Sequence, residues 1–220
     1  MKTKKILRMV VDVLMSAVLL VQMSYSIAGE LVHEILGITL FALFIAHHIL
    51  AIPFTKGLFK NARTPLGAVK LALDVLLTPA MLCVMLSALP ISQYVFAFLG
   101  LSGLSSLGRA MHLAGAYQLF VLIGLHIGMH LDMMLAKPLK KKAGKVIIIT
   151  ACAAVFATGS YFFASEGLYR YMFFIDSFAF IDSSLSLPLF IGKYLLILGA
   201  FAVAGFGLSS ILKRQRRKKK

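Results

Sequence analysis

The chain has 220 residues, of which 60% are hydrophobic and only 14% charged, with a mean hydropathy of +0.91. Soluble domains carry roughly a quarter charged residues, so this composition excludes an ordinary water-soluble fold and points to a chain embedded in lipid. The net charge of +15 could suggest nucleic acid, but its basic residues flank apolar runs and form no face with aromatic or polar readers, which argues against that partner.

A stretch of about 20 apolar residues spans the ~30 Å hydrocarbon core as a helix. Candidate spans fall at about 9–28, 31–52, 71–91, 110–131, 146–164 and 194–212. Lys2, Lys4, Lys5 and Arg8 precede the first span, and Lys56, Lys60, Arg63 and Lys70 lie between the second and third. Lys137, Lys140, Lys141, Lys142 and Lys145 lie between the fourth and fifth, and the run from Lys213 to Lys220 follows the sixth. Of the 23 basic residues only Arg109, Arg170 and Lys193 fall elsewhere. This asymmetry predicts that both termini are cytoplasmic. Met1–Lys5 followed by an apolar run to Ala28 also resembles a secretory signal. The run is long for a signal core, however, and it forms half of an internal repeat.

That repeat pairs Arg8-Met9-Val10-Val11-Asp12-Val13-Leu14-Met15-Ser16 with Lys70-Leu71-Ala72-Leu73-Asp74-Val75-Leu76-Leu77-Thr78 in kind and spacing. Each copy opens a span and is followed by a span carrying histidines, so spans one to four read as two copies of one hairpin. The second copy has a longer outer loop, at about residues 89–108. In each copy the base precedes the acid by four residues and can meet it on one helix face, for anchoring or for proton entry.

All six histidines lie in spans two and four or at their ends: His33, His47, His48, His112, His126 and His130. His33 to His47 and His112 to His126 are both intervals of 14 residues, just under four turns, which puts each pair on one helix face about 21 Å apart. The two spans run in the same direction, so His33 aligns with His112 and His47 with His126. Ionisable groups inside a membrane are costly and default to function. Two sites of two ligands each suit bis-histidine haem better than zinc or copper, whose ligands converge on one ion. One-electron transfer across the bilayer by two b-type haems is therefore the expected chemistry.

Other residues are less specific. His48 faces about 100° away from His47, and His130 lies one turn beyond His126, with a propionate contact, proton transfer near a quinone or a structural role all open to it. Arg109, three residues before His112, is positioned either to pair with a propionate of an outer haem or to act as a plain surface charge. Gly37 and Gly115 would let a flat macrocycle or another helix approach, and the same choice stands for Gly124 and Gly128. Met111 and Met129 read as packing, as do the isolated Cys83 and Cys152, which form no CxxC. The aromatic stretch from Phe162 to Phe190, including Phe178, Phe180 and Asp182, suits either an interfacial belt or a docking surface.

The element His33-Glu34-Ile35-Leu36-Gly37 running to Ala46-His47-His48, with His112 and Leu125-His126 in the second hairpin, resembles a bacterial membrane family. Its members are di-haem, cytochrome-b-like proteins associated with flavinylated extracytoplasmic electron-transfer systems. The double 14-residue register is also similar to that of the cytochrome b of quinol-oxidising complexes. The resemblance covers roughly residues 5–135. It implies that His33, His47, His112 and His126 are axial ligands of two haem b groups in a bacterial cytoplasmic membrane. It also implies electron exchange between a quinone pool and a separate extracytoplasmic protein carrying covalent FMN, since this chain contains no flavin domain. Quinol oxidation by the chain itself is left open.

The expected architecture is all-α and integral to the membrane, with six transmembrane helices. Residues 1–135 form a four-helix haem bundle of two repeated hairpins, and residues 136–220 an accessory two-helix hairpin with a basic cytoplasmic tail. The rival expectation is a transporter or metal permease that uses its intramembrane histidines for substrate and has helices broken near the midplane. A haem-free structural subunit anchoring a redox partner is a third, and it leaves the matched intervals unexplained.

Overall fold

A computed structural model of the chain describes residues 2–135, 141–176 and 185–218. Lys137, Lys140, Phe178, Phe180, Asp182, Lys219 and Lys220 lie outside these. The described residues form α-helices joined by turns: α1 (Lys2–Gln22), α2 (Tyr25–Ala28), α3 (Glu30–Asn61), α4 (Pro65–Ala88), α5 (Ser105–Leu135), α6 (Lys142–Ser165), α7 (Leu168–Met172) and α8 (Leu187–Lys218).

Five of these helices are long and apolar enough to cross a membrane, carried by residues Glu30–Asn61, Pro65–Ile91, Ser102–Leu131, Lys142–Ser165 and Leu187–Gln215. Their outward faces present large apolar side chains such as Ile49, Leu86 and Ile147, each more than 60% exposed. An apolar surface of that extent is a lipid-facing one, and the chain is a multi-pass, all-helical membrane protein.

The first expected span is organised differently. Helix α1 stops at Gln22, and its 21 residues include Lys2, Lys4, Lys5, Arg8 and Asp12. A turn at Met23 and Ser24 then separates it from the single turn of α2. Ser24 Oγ donates to Val21 O at 2.6 Å, and Gly29 turns the chain at φ +84°. A hydroxyl that takes a helix carbonyl, followed by a residue free to adopt positive φ, accounts for the break.

Helix ends elsewhere extend beyond the apolar runs. Helix α3 continues through Pro53 to Asn61, reaching about 48 Å at 1.5 Å per residue, and so carries Lys56 and Lys60 past a ~30 Å core. Helix α4 begins at Pro65 behind Thr64, whose Oγ1 accepts from Gly67 N at 3.1 Å. A proline at the first position loses no hydrogen bond there, which makes this a sharp start.

Helices α1 and α3 pack side by side, as do α4 and α5, each pair antiparallel. The remaining packing differs from a bundle with a peripheral appendage. Helix α8 lies along α5 and α6, and the most deeply buried cluster gathers Tyr117 and Phe120 of α5 with Phe190, Tyr194, Ile197 and Leu198 of α8. Residues on either side of position 135 therefore share one core.

The α5–α8 approach depends on missing side chains. A Cβ at Gly124 would lie 2.6 Å from Phe201 Cβ, one at Gly128 would strike Ala202 O, and one at Gly205 would strike Leu125 O. Gly124 and Gly128 thus serve helix packing against α8, of the small-residue kind expected in membranes.

Candidate functional site

The antiparallel pairing of α1 with α3 and of α4 with α5 sets the position of every histidine. At the outer level, His33 of α3 and His112 of α5 meet across the molecule, with ring centroids 6.0 Å apart and planes at 73°. Helices α3 and α5 are not among the closely packed backbone pairs, so these side chains bridge a gap between helices. The edge of Tyr25 from α2 packs on His33 at 5.2 Å, and exposed Arg109 acts electrostatically on Tyr25 from α5. Arg109 is therefore at the outer mouth of this level.

At the inner level the repeat acquires a role that its sequence did not announce. Asp12 Oδ1 lies 2.6 Å from His47 Nδ1, and Asp74 Oδ1 lies 3.0 Å from His126 Nδ1. The first contact is a hydrogen bond. The second has the distance of an ion pair, but Asp74 Oδ1 completes no aligned hydrogen bond. The acid of each copy therefore reaches the inner histidine of its own hairpin, while the Arg8 guanidinium stacks over Phe54 at 5.0 Å instead of pairing along α1.

Outside the inner level the anchors are neutral. His112 Nδ1 donates to Val84 O at 3.0 Å. His33 Nδ1 is buried without a hydrogen-bond partner, although the Gln22 backbone, at the repeat position equivalent to Val84, acts on the ring electrostatically. The contacts of His47, His112 and His126 all use Nδ1, so Nε2 of each is the nitrogen left for a further ligand. Second-shell partners on Nδ1 that leave Nε2 to a metal are the common arrangement of ligating histidines.

The remaining histidines flank the inner level. His48 Nδ1 donates to Phe44 O at 2.9 Å, and its Nε2 is 3.4 Å from Thr78 Oγ1, so both nitrogens face protein atoms. His130 packs on His126 at 4.8 Å and on Phe54 at 5.3 Å. Asp74, His126 and His130 bring one ligand atom each to within 4.8 Å of one another. Gly37 faces Gln22 Nε2 and Gly115 faces Val84 Cγ2, with a Cβ at either place 3.0 Å from that atom, so both glycines sit at helix–helix contacts. Met129 is buried, and Cys83 and Cys152 are unbridged thiols.

Two further features were not anticipated. Glu34, next to His33, accepts from Ser92 Oγ, Gln93 N and Val95 N, each at 2.7 Å, and clasps the loop between α4 and α5 over the outer end. Its only signal in sequence was a carboxylate beside a histidine in an apolar run. On the same side, Arg170 grips Asp176 through two hydrogen bonds of 2.6 and 3.0 Å, which hold the Asp176 carboxyl below the ordinary carboxylate range.

Asp12 and Asp74 could have been found by folding each hairpin on paper. An acid in the third turn of the first helix falls opposite the inner histidine of an antiparallel second helix. No protein-family model, no curated protein and no solved structure matches the chain.

Proposed function

We propose that the protein is a six-span membrane electron carrier in which His33 with His112, and His47 with His126, ligate two b-type haems. The observation that carries this reading is the outer pair. Two imidazole nitrogens about 2 Å from one shared ion put their ring centroids about 6 Å apart, the separation found between His33 and His112. Anchoring of Nδ1 on His47, His112 and His126 supports it, because it directs Nε2 toward a ligand.

Bound haem would supply reversible one-electron chemistry. The chain's part is to orient the imidazoles, exclude water and set two sites about 21 Å apart along the bilayer normal. Arg109 at the outer mouth is placed to pair with a propionate. In this reading α1 and α2 together form the first span, both termini are cytoplasmic, and the membrane is the bacterial cytoplasmic one. Electrons then pass between a quinone pool and an extracytoplasmic FMN-bearing protein.

The test is a reduced-minus-oxidised visible spectrum of the purified protein with haem counted per chain. A b-type spectrum with about two haems per chain, falling to about one in His33→Ala, is the expected result. A colourless protein, made with haem in ample supply, would overturn the proposal.

The triad of Asp74, His126 and His130 favours a second reading, a divalent-cation permease. It requires haem-free protein that binds zinc with about one ion per chain, and loss of that ion in His130→Ala.

A further inference from the structure

We propose that the two histidine pairs are held at different reduction potentials, the inner pair below the outer, so that an electron runs downhill from the cytoplasmic end to the outer end. The inference rests on the haem reading above and concerns the groups behind the ligands.

The asymmetry lies on Nδ1. Both inner histidines face carboxylates there, Asp12 at 2.6 Å and Asp74 at 3.0 Å. A carboxylate drawing on Nδ1–H makes the imidazole a stronger base and donor, and its negative charge favours the more positive, oxidised ion. Neither outer histidine has such a partner. His112 donates to the neutral Val84 carbonyl, and His33 Nδ1 has no hydrogen bond.

The surrounding charges are mixed, because Glu34, beside His33, and Glu30 place carboxylates at the outer level, so the asymmetry rests on the Nδ1 partners. Arg109 adds a positive charge at the outer mouth, which favours the reduced ion there. Arg8, one turn before Asp12, is drawn onto Phe54 while Asp12 engages His47. Lys70 stands four residues before Asp74, as Arg8 does before Asp12. His48 and His130 are the other titratable neighbours of the inner pair.

The step is a bare electron transfer. With haem held by His47 and His126 and by His33 and His112, the inner group would supply one electron, passing from ferrous to ferric, and the outer group would take it up, passing from ferric to ferrous. No bond is made or broken, and the protons on the ring nitrogens stay in place. Reciprocal placement of the two acids in the repeat means that one hairpin design, used twice, biases the same level from both sides.

The test is a potentiometric titration at constant pH of the haem-loaded, full-length protein in lipid nanodiscs, followed on the reduced visible band. Two one-electron components are expected. Asp12→Asn and Asp74→Asn should each raise only the lower one, by about tenfold in the preference for ferric over ferrous ion, or about 59 mV for one electron. The double variant His33→Ala/His112→Ala keeps only the inner pair and should retain the lower component. Asp12→Glu, which keeps the charge, should leave that component low, and it serves if either asparagine variant fails to accumulate. Unmoved potentials in the asparagine variants, or retention of the upper component by the double variant, would overturn the inference while leaving the haem reading intact. A wild-type chain that takes up no haem would remove both.

Discussion

Glu34 and the two inner aspartates illustrate how an acidic residue is made tolerable in an apolar helix. Each meets polar partners on another element: Glu34 accepts from loop amides at 92–95, Asp12 is hydrogen-bonded to His47, and Asp74 lies 3.0 Å from His126 Nδ1. Removing the acceptor leaves buried or half-buried donors without a partner, which costs the desolvation of those groups. Glu34→Ala is therefore expected to lower stability by about 1–3 kcal/mol. Thermal unfolding in detergent measures it, and faster proteolytic nicking between α4 and α5 should accompany the loss. A variant with wild-type stability and an intact loop would mean that the Glu34 clasp contributes nothing to the fold.

Between helices, the decisive chemistry is the absence of side chains. Helix α8 approaches α5 closely because Gly124, Gly128 and Gly205 present backbone to backbone. Gly128→Leu would drive a side chain into the Ala202 carbonyl and is expected to cost at least about 1–3 kcal/mol, the usual penalty for overpacking. Gly192→Ala, on the partner helix α8, is its control, since a Cβ there meets nothing within 4 Å. That change should be neutral or stabilising by about 0.5–1 kcal/mol, because alanine loses less entropy in a helix. Thermal unfolding of the two variants side by side distinguishes close packing from a general need for glycine. The prolines are accommodated for a related reason. Pro53 and Pro79 lie inside α3 and α4 without ending them, as membrane helices allow when neighbouring groups satisfy the freed carbonyls.

Across the whole molecule, the proposed orientation rests on the charge asymmetry and the proposed six-span parity on α1 crossing together with α2. Reporters fused to the N- and C-termini should both be active only as cytoplasmic reporters. If α1 with α2 failed to cross, the N-terminal reporter would read from the outside while the C-terminal one still read from the cytoplasm. The physical case for crossing is the antiparallel register along α3, in which Asp12 meets His47 and Gln22 meets Gly37, so the α1 chain climbs with its partner. Arg8 over Phe54 continues that register toward the basic end.

Membrane residence, helical class, five of the spans and the meeting of His33 with His112 were legible from sequence, because each depends on local quantities: run length, loop charge and the 3.6-residue turn. The doubled Asp segment was visible as well, but not its use. An acid four residues after a base looks like an intrahelical pair until the antiparallel partner helix is in place. Only the tertiary structure decided that Asp12 and Asp74 face imidazoles, that Glu34 clasps a loop some sixty positions away, and that α8 shares the core of α5. Those contacts join residues far apart in the chain, and their partners are chosen by which helix faces pack together, a choice that periodicity along a single helix does not contain.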